Sequence, residues 1–213
     1  MIKQQVSATV YGVILNDAAS VQKIGSLAEA PYKGAPKAPA LYIKPANTRA
    51  ACGAAVNLPG DAKTVEVAAT IGLVMGRAAG RLSAENALDA VAGIVLAADL
   101  SLPHASYYRP AIREKCFDGS LPLSSVKPLV DLGQLVLNTE IDGKLVESRS
   151  LAGLIRQPAQ LLADVTEFMS LRQGDVLLVG VSYQAPQAAA GSQVKISAEG
   201  VGSLQFSIAG AQA

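Results

Sequence analysis

Two long apolar runs, residues 65–75 and 94–100, constrain this chain more than any other feature, because charge is almost absent from both. Neither alternates apolar with polar positions, so neither reads as a strand with one wet face. A continuous run of Val, Ile, Leu and Ala punctuated by glycine fits a strand covered on both sides. The first ends at Gly76-Arg77, and the second carries a carboxylate, Asp99, near its end. Both fall short of the roughly 18 apolar residues a membrane-spanning helix needs, which leaves a buried central sheet as the expected frame. A carboxylate embedded in that sheet must have partners, since burying an unpaired charge is costly.

With 213 residues the chain has the size of one domain, expected to run over 1–213. Half of the residues are hydrophobic and 16% are charged, which excludes a solvated, disordered polymer. The low charge also directs part of the surface toward another subunit, so a monomer is not expected. Lys plus Arg number 18 against 17 Asp plus Glu, and no long-range field draws the chain to nucleic acid or to an anionic membrane. Cys52 and Cys116 stand far apart and His104 is the single histidine, which disfavours a zinc site or a disulfide framework. The first residues, Met1-Ile2-Lys3-Gln4-Gln5-Val6, do not follow a secretory pattern, and a cytoplasmic location is expected.

The remaining segments read as many short strands with few helices. Residues 8–15 form a strand, Asn16-Asp17 a turn or cap, and 18–28 a short helix. Residues 31–39, with three prolines and a glycine, form a connection or flap, and 40–44 another strand. Ser83 as N-cap with Glu85 in the first turn predicts a helix that stops near Gly93. Asp142-Gly143 sits between 135–141 and 144–148, a type I′ hairpin signal. Pro158 opens a helix through Phe168, and strands follow at 176–181, 194–198 and 204–208. The class is α+β, strand-dominated.

Gly200-Val201-Gly202 lacks the third glycine and the helix of a dinucleotide loop and reads as a strand turn. His104 reads as structural or solvated, and Cys116 as a core filler despite Lys115 beside it. The best binding candidate is residues 106–119, where Tyr107, Tyr108, Arg109, Arg113 and Lys115 cluster directly after the Asp99 strand. Arginine can grip a carboxylate bidentately, and a lysine ammonium can stabilise a developing enolate.

The order of these pieces, Lys44-Pro45-Ala46-Asn47-Thr48, the 65–77 segment, Ala97-Ala98-Asp99-Leu100-Ser101 and Lys115-Cys116-Phe117-Asp118, resembles the fumarylacetoacetate hydrolase family. Leu171-Arg172-Gln173-Gly174-Asp175-Val176 and Ala198-Glu199-Gly200-Val201-Gly202-Ser203-Leu204 extend the likeness over nearly the whole chain. Ser101-Leu102-Pro103 with Tyr108-Arg109-Pro110-Ala111-Ile112 is most similar to the N-terminal half of that family's bifunctional isomerase/decarboxylases of 4-hydroxyphenylacetate catabolism. The resemblance implies a mixed β-sandwich roll with a few short peripheral helices. It also implies a Mg²⁺ site built from an E-x-E pair and an aspartate; aligned here, the glutamate positions fall on Ala68 and Thr70, and Asp99 matches the aspartate. With two of three carboxylates missing, no tightly bound metal or other cofactor is expected. Gly180-Val181-Ser182 departs from the family's G-T-P, and residues 16–35 lack the histidine-glutamate pair of its hydrolases, so hydrolytic C–C cleavage is disfavoured.

The implied activity is decarboxylation of 5-oxopent-3-ene-1,2,5-tricarboxylate and isomerisation of the product to 2-oxohept-3-enedioate. On this reading Lys115 and Asp99 are the catalytic candidates, with Asp99 pairing Lys115 or moving a proton. Arg109, Lys44, Ser101 and Tyr108 are expected to bind the polycarboxylate substrate. The competing expectation is a non-catalytic partner of a metal-bearing homologous subunit, in a homo- or hetero-oligomer. An α-oxo acid decarboxylase or acylpyruvate hydrolase is a further alternative that would want the missing glutamates.

Overall fold

The computed structural model describes residues 9–30, 32–60, 62–104 and 111–210. Its strands are β1 (Val10–Ile14), β2 (Ala40–Lys44), β3 (Arg49–Ala51), β4 (Ala55–Asn57), β5 (Thr64–Met75), β6 (Val91–Ser101) and β7 (Leu121–Leu123). They continue with β8 (Val136–Ile141), β9 (Lys144–Ser150), β10 (Val176–Leu178), β11 (Gln187–Ala189), β12 (Gln193–Ala198) and β13 (Gly202–Ala209). The α-helices are α1 (Ala18–Ile24), α2 (Ile112–Lys115) and α3 (Pro158–Phe168). None is long and apolar enough to cross a membrane.

The larger sheet has the order β2-β1-β10-β5-β6-β7-β3, with β11 added beside β5; the smaller runs β4-β13-β12-β8-β9. Both are mixed: β1 with β10, β3 with β7 and β13 with β4 pair in parallel. The long runs read from the sequence are β5 and β6, paired antiparallel in the interior of the larger sheet.

Side chains alternate across a strand, and this parity organises the molecule. Odd positions of β5 (Val65, Val67, Ile71, Leu73) and even positions of β6 (Ile94, Leu96, Leu100) enter the main core with Leu137, Ile196, Leu204 and Phe206 of the smaller sheet. The opposite face is also covered, since Val74, Val95 and Ala97 pack with Val10, Leu121, Val176 and Leu178. Two covered faces explain why the runs show no alternation. Each leucine or isoleucine so buried contributes about 1.5–3 kcal/mol of transfer free energy.

Other local expectations follow their chemistry. Asp142 and Gly143 take φ of 52° and 78°, the positive values that the β8–β9 hairpin turn requires. Pro158 opens α3, which buries Leu161, Leu162 and Val165. Asp17 caps α1 by accepting from the Ser20 N–H, and the helix ends at Gly25, short of residue 28. The strand expected over 176–181 stops at Leu178, where β10 gives way to Gly180 at φ 145°.

The helix expected to run from Ser83 to Gly93 does not form. The Asn86 side chain accepts from the Ser83 N–H at 3.1 Å, a 3₁₀ turn covers Ala87–Ala90, and β6 begins at Val91. Pairing of Val91 with Met75 starts the longest ladder of the sheet, and that gain overrides the weak helical signal. Gly93 is therefore a strand residue rather than a helix stop. The Lys127 carbonyl crosses over it to accept from the Ile94 N–H at 2.8 Å, and a Cβ on residue 93 would lie 2.3 Å from that oxygen. Gly93→Ala should thus cost about 1–3 kcal/mol through overpacking. A thermal melt should show Tm lowered by roughly 2–12 °C at this chain size, and an unchanged Tm would contradict the close approach.

Candidate active site

The parity that fills the core leaves the even positions of β5 and the odd positions of β6 on the outer face. Adjacent rungs there pair Glu66 with Ser101, Ala68 with Asp99, and Thr70 with Ala97. Asp99 therefore stands across from the first of the two positions where the resemblance expects a glutamate.

Asp99 is completely buried, and three side chains converge on it. Lys44, the last residue of β2, places Nζ 3.0 Å from Oδ1, and Lys115, the last residue of α2, places Nζ 2.8 Å from Oδ2. The Tyr42 hydroxyl donates to Oδ2. The Lys115 ammonium also lies 5.0 Å from the centroid of the Tyr42 ring. Tyr42 lies directly across from Gly12 in the β1–β2 ladder, and a Cβ on residue 12 would fall 2.0 Å from the ring carbon that bears the hydroxyl. The ring can cross β1 to reach Asp99 only because residue 12 is glycine.

The charges follow from this geometry. Burial pushes the Asp99 carboxyl up, but the Lys115 and Lys44 ammoniums and the Tyr42 hydroxyl outweigh it and hold the group well below the usual carboxylate range. Burial pushes the Lys44 ammonium down against the pull of Asp99, with the like charge of Lys115 adding to the fall. On the neighbouring rung, burial pushes the Glu66 carboxyl up, opposed by the charges of His104 and Lys115. Burial likewise raises the Cys116 thiol, which makes it less reactive despite the lysine beside it.

Lys44 was expected to orient a substrate carboxylate and is placed otherwise. Its side chain is fully buried and donates to the carbonyls of Lys115, Leu100 at 3.4 Å and Ser120 at 3.0 Å, and to the Ser120 hydroxyl at 3.0 Å. It fixes Asp99 from behind. Lys115 is also buried, its side chain 9% exposed where that of Lys44 is fully covered. Ser101 is buried beside Asp99, its hydroxyl 3.2 Å from His104 Nδ1. Arg109 and Tyr108 lie outside the described residues. Two further residues escaped the sequence reading. Tyr42 was seen only as part of a strand, although its i, i+2 spacing from Lys44 puts both on one face, and Glu66 stands two residues before Ala68 on the outer face of β5.

The donors present do not suit the Mg²⁺ that the resemblance implies. Ala68 offers a methyl group, and the Thr70 hydroxyl donates to the Gly180 carbonyl at 2.6 Å. Arg149 of the smaller sheet reaches the same carbonyl and that of Ala69, at 3.2 and 2.6 Å, so this wall is committed to internal bonds. Both Asp99 oxygens already face ammonium groups. A hard dication needs several oxygen ligands, and this donor set does not fit one. Among the described residues no group of three or more His, Cys, Asp or Glu is assembled for a metal.

Residues 9–209 match the family model for the fumarylacetoacetate (FAA) hydrolase C-terminal domain. The chain is 35% identical over 198 residues to a 4-hydroxyphenylacetate degradation bifunctional isomerase/decarboxylase of Escherichia coli, covering 92% of this chain and 46% of that protein. It thus spans about half the length of the curated relative it matches. The fold superposes on a 5-carboxymethyl-2-hydroxymuconate delta-isomerase from Mycobacterium smegmatis with a TM-score of 0.82 at 24% identity, covering 98% of this chain and 81% of that one. It superposes on a fumarylpyruvate hydrolase from Pseudomonas aeruginosa, solved in complex with Mn²⁺ and pyruvate, with a TM-score of 0.79 at 21% identity, covering 95% and 89%.

The Asp99 cluster makes a stability prediction whose sign can be fixed. A carboxyl held below its unfolded value of about 3.9 contributes fully above that pH, and the contribution falls as the pH drops toward the folded value. Asp99→Asn leaves two ammoniums without their counter-charge and should cost about 3–5 kcal/mol at pH 7. Urea unfolding at pH 7 and at pH 3 should show the gap from the parent chain narrowing at the lower pH. A gap that is absent, or equal at both, would contradict the assigned charges.

Proposed function

Because the chain belongs to the fumarylacetoacetate hydrolase family and pairs two ammonium groups with Asp99, the residue that the resemblance matches to a metal-binding aspartate, we propose that it decarboxylates and isomerises an α-oxo polycarboxylate without a divalent cation. The substrate we assign is 5-oxopent-3-ene-1,2,5-tricarboxylate, which loses CO₂ to give 2-hydroxyhepta-2,4-dienedioate and then tautomerises to 2-oxohept-3-enedioate. The pairing of isomerase and decarboxylase activities in the 35%-identical relative supports this reaction type.

In the first step the bond to the departing carboxylate breaks and its electron pair flows into the conjugated oxo group. Negative charge develops on the former carbonyl oxygen, CO₂ leaves with no change of redox state, and the oxygen takes one proton from water to become the enol hydroxyl. A fixed cation beside that oxygen lowers the barrier, and in a water-poor site it does so far more effectively than in bulk solvent. The observation that carries the proposal is the Lys115 ammonium, held 2.8 Å from Asp99 at the edge of the cluster. Asp99 stays ionised and anchors Lys115, Lys44 secures Asp99, and Ser101 lines the site. We keep Arg109 and Tyr108 as the groups that grip the remaining carboxylates, on their motif match alone.

A second reading, a non-catalytic partner of a metal-bearing homologous subunit, is favoured by Ala68 and Thr70 at the ligand positions. Leu145 and Val146, 57% and 40% exposed on the edge strand β9, support a partner surface under either reading. Turnover of the oxo-tricarboxylate, followed by CO₂ release with EDTA present, separates the two. The chain alone should turn over, and Lys115→Met should lower kcat by roughly 10²–10³-fold, the usual effect of removing an oxyanion stabiliser. Turnover only when the metal-bearing subunit is added, or an undiminished Lys115→Met variant, would contradict the proposal.

A further inference from the structure

Asp99 is poorly suited to move a proton, being flanked by two ammoniums, yet the second step of the proposed reaction requires one to travel from an enol oxygen to a carbon. The neighbouring rung of the β5–β6 ladder holds groups that the first step leaves unused. Glu66 faces Ser101 across that rung and sits two residues, about 7 Å of strand, from the Ala68–Asp99 rung. It is half-buried and takes part in no hydrogen bond or ion pair among the described residues, which leaves its carboxyl available to a bound molecule. The Ser101 hydroxyl contacts His104 Nδ1 at 3.2 Å, and the Leu102 carbonyl is 3.1 Å from the same nitrogen. Its ladder neighbours are Ser101 of β6 and Gln187 of β11, and the charges of His104 and Lys115 act on its carboxyl.

We infer that Glu66 delivers the proton to carbon in the tautomerisation of a 2-hydroxy-2,4-dienoate, with Ser101 and His104 returning the enol proton to it. This rests on the outer-face site proposed above and adds the proton carrier that site lacked. The balance closes without a co-reactant. The Glu66 O–H breaks as a C–H bond forms at the far end of the diene, the double bonds shift, and the enol O–H becomes a carbonyl. The proton lost there passes through His104 and restores the Glu66 acid. Burial that keeps the carboxyl protonated to higher pH than usual suits it to this work.

The test offers the dienol to the purified chain in D₂O and follows ketonisation by ultraviolet absorbance, with CO₂ release from the oxo-tricarboxylate measured separately. Glu66→Gln should slow ketonisation at least 100-fold, in line with loss of a general acid, while CO₂ release stays within about threefold. Glu66→Asp should recover part of the rate. The decline of ketonisation with rising pH in the parent chain should vanish in Glu66→Gln. Unchanged ketonisation in Glu66→Gln, or equal loss of both steps, would overturn the relay. A parent chain that ketonises through Glu66 but releases no CO₂ would sink the decarboxylase proposal and leave the relay standing; CO₂ release with Glu66-independent ketonisation would do the reverse.

Discussion

A carboxylate with no exposure to water must be answered by positive charge, and at Asp99 that requirement ties together four separated stretches of chain. Lys44 and Tyr42 come from the edge strand β2, Lys115 from the short helix α2, and Ser120 from the turn that follows it. Buried ion pairs seldom raise net stability over a well-packed apolar alternative, because desolvation offsets their attraction. What such a cluster does determine is position. Lys44 satisfies backbone carbonyls on one side and Asp99 on the other, so Asp99 has one place to stand, and Lys115 is fixed in turn.

The pleat of the sheet separates this chemistry from the core. The same two strands that build the sandwich interior with one parity present Glu66, Ala68, Thr70, Asp99 and Ser101 with the other. Small residues make room on that outer face. Gly12 lets the Tyr42 ring cross β1, and Gly72 leaves space where a Cβ would meet Val176 at 2.5 Å and Val95 at 2.9 Å. The smaller sheet contributes as well: Arg149 pairs with Asp17 at 3.3 Å while binding the Gly180 carbonyl, which links the cap of α1 to the wall of the site. Core packing and site geometry therefore share a single backbone register, and a slip by one residue would exchange their faces.

Much of this was legible in the sequence because the signals were local or strongly patterned. Continuous apolar runs gave β5 and β6, Asp142-Gly143 gave the hairpin, Pro158 gave α3, and the motif order gave the family. Asp99 stands out as a charge inside a buried strand, and Lys115 is a counter-charge that the sequence offers it. What sequence could not carry was cross-strand register. Tyr42 matters because Gly12 lies opposite it, and Glu66 because Ser101 does. Those relations span 30 and 35 residues and follow from ladders that no local pattern specifies. The helix expected before Gly93 failed for the same reason, since the pull of Met75 on Val91 is a tertiary effect. Lys44 was assigned to substrate because its burial behind Asp99 depends on the carbonyls of residues 100, 115 and 120.

We propose that Lys44 and Lys115, which face the two Asp99 oxygens, stand in for a divalent cation at this carboxylate. Electron paramagnetic resonance of Mn²⁺ titrated against the purified chain tests it most directly, because the aquo ion has a sharp spectrum that broadens on binding. The free-ion signal should keep its full amplitude with the chain in stoichiometric excess. Loss of signal equivalent to one Mn²⁺ per chain, recovered in Asp99→Asn, would contradict it.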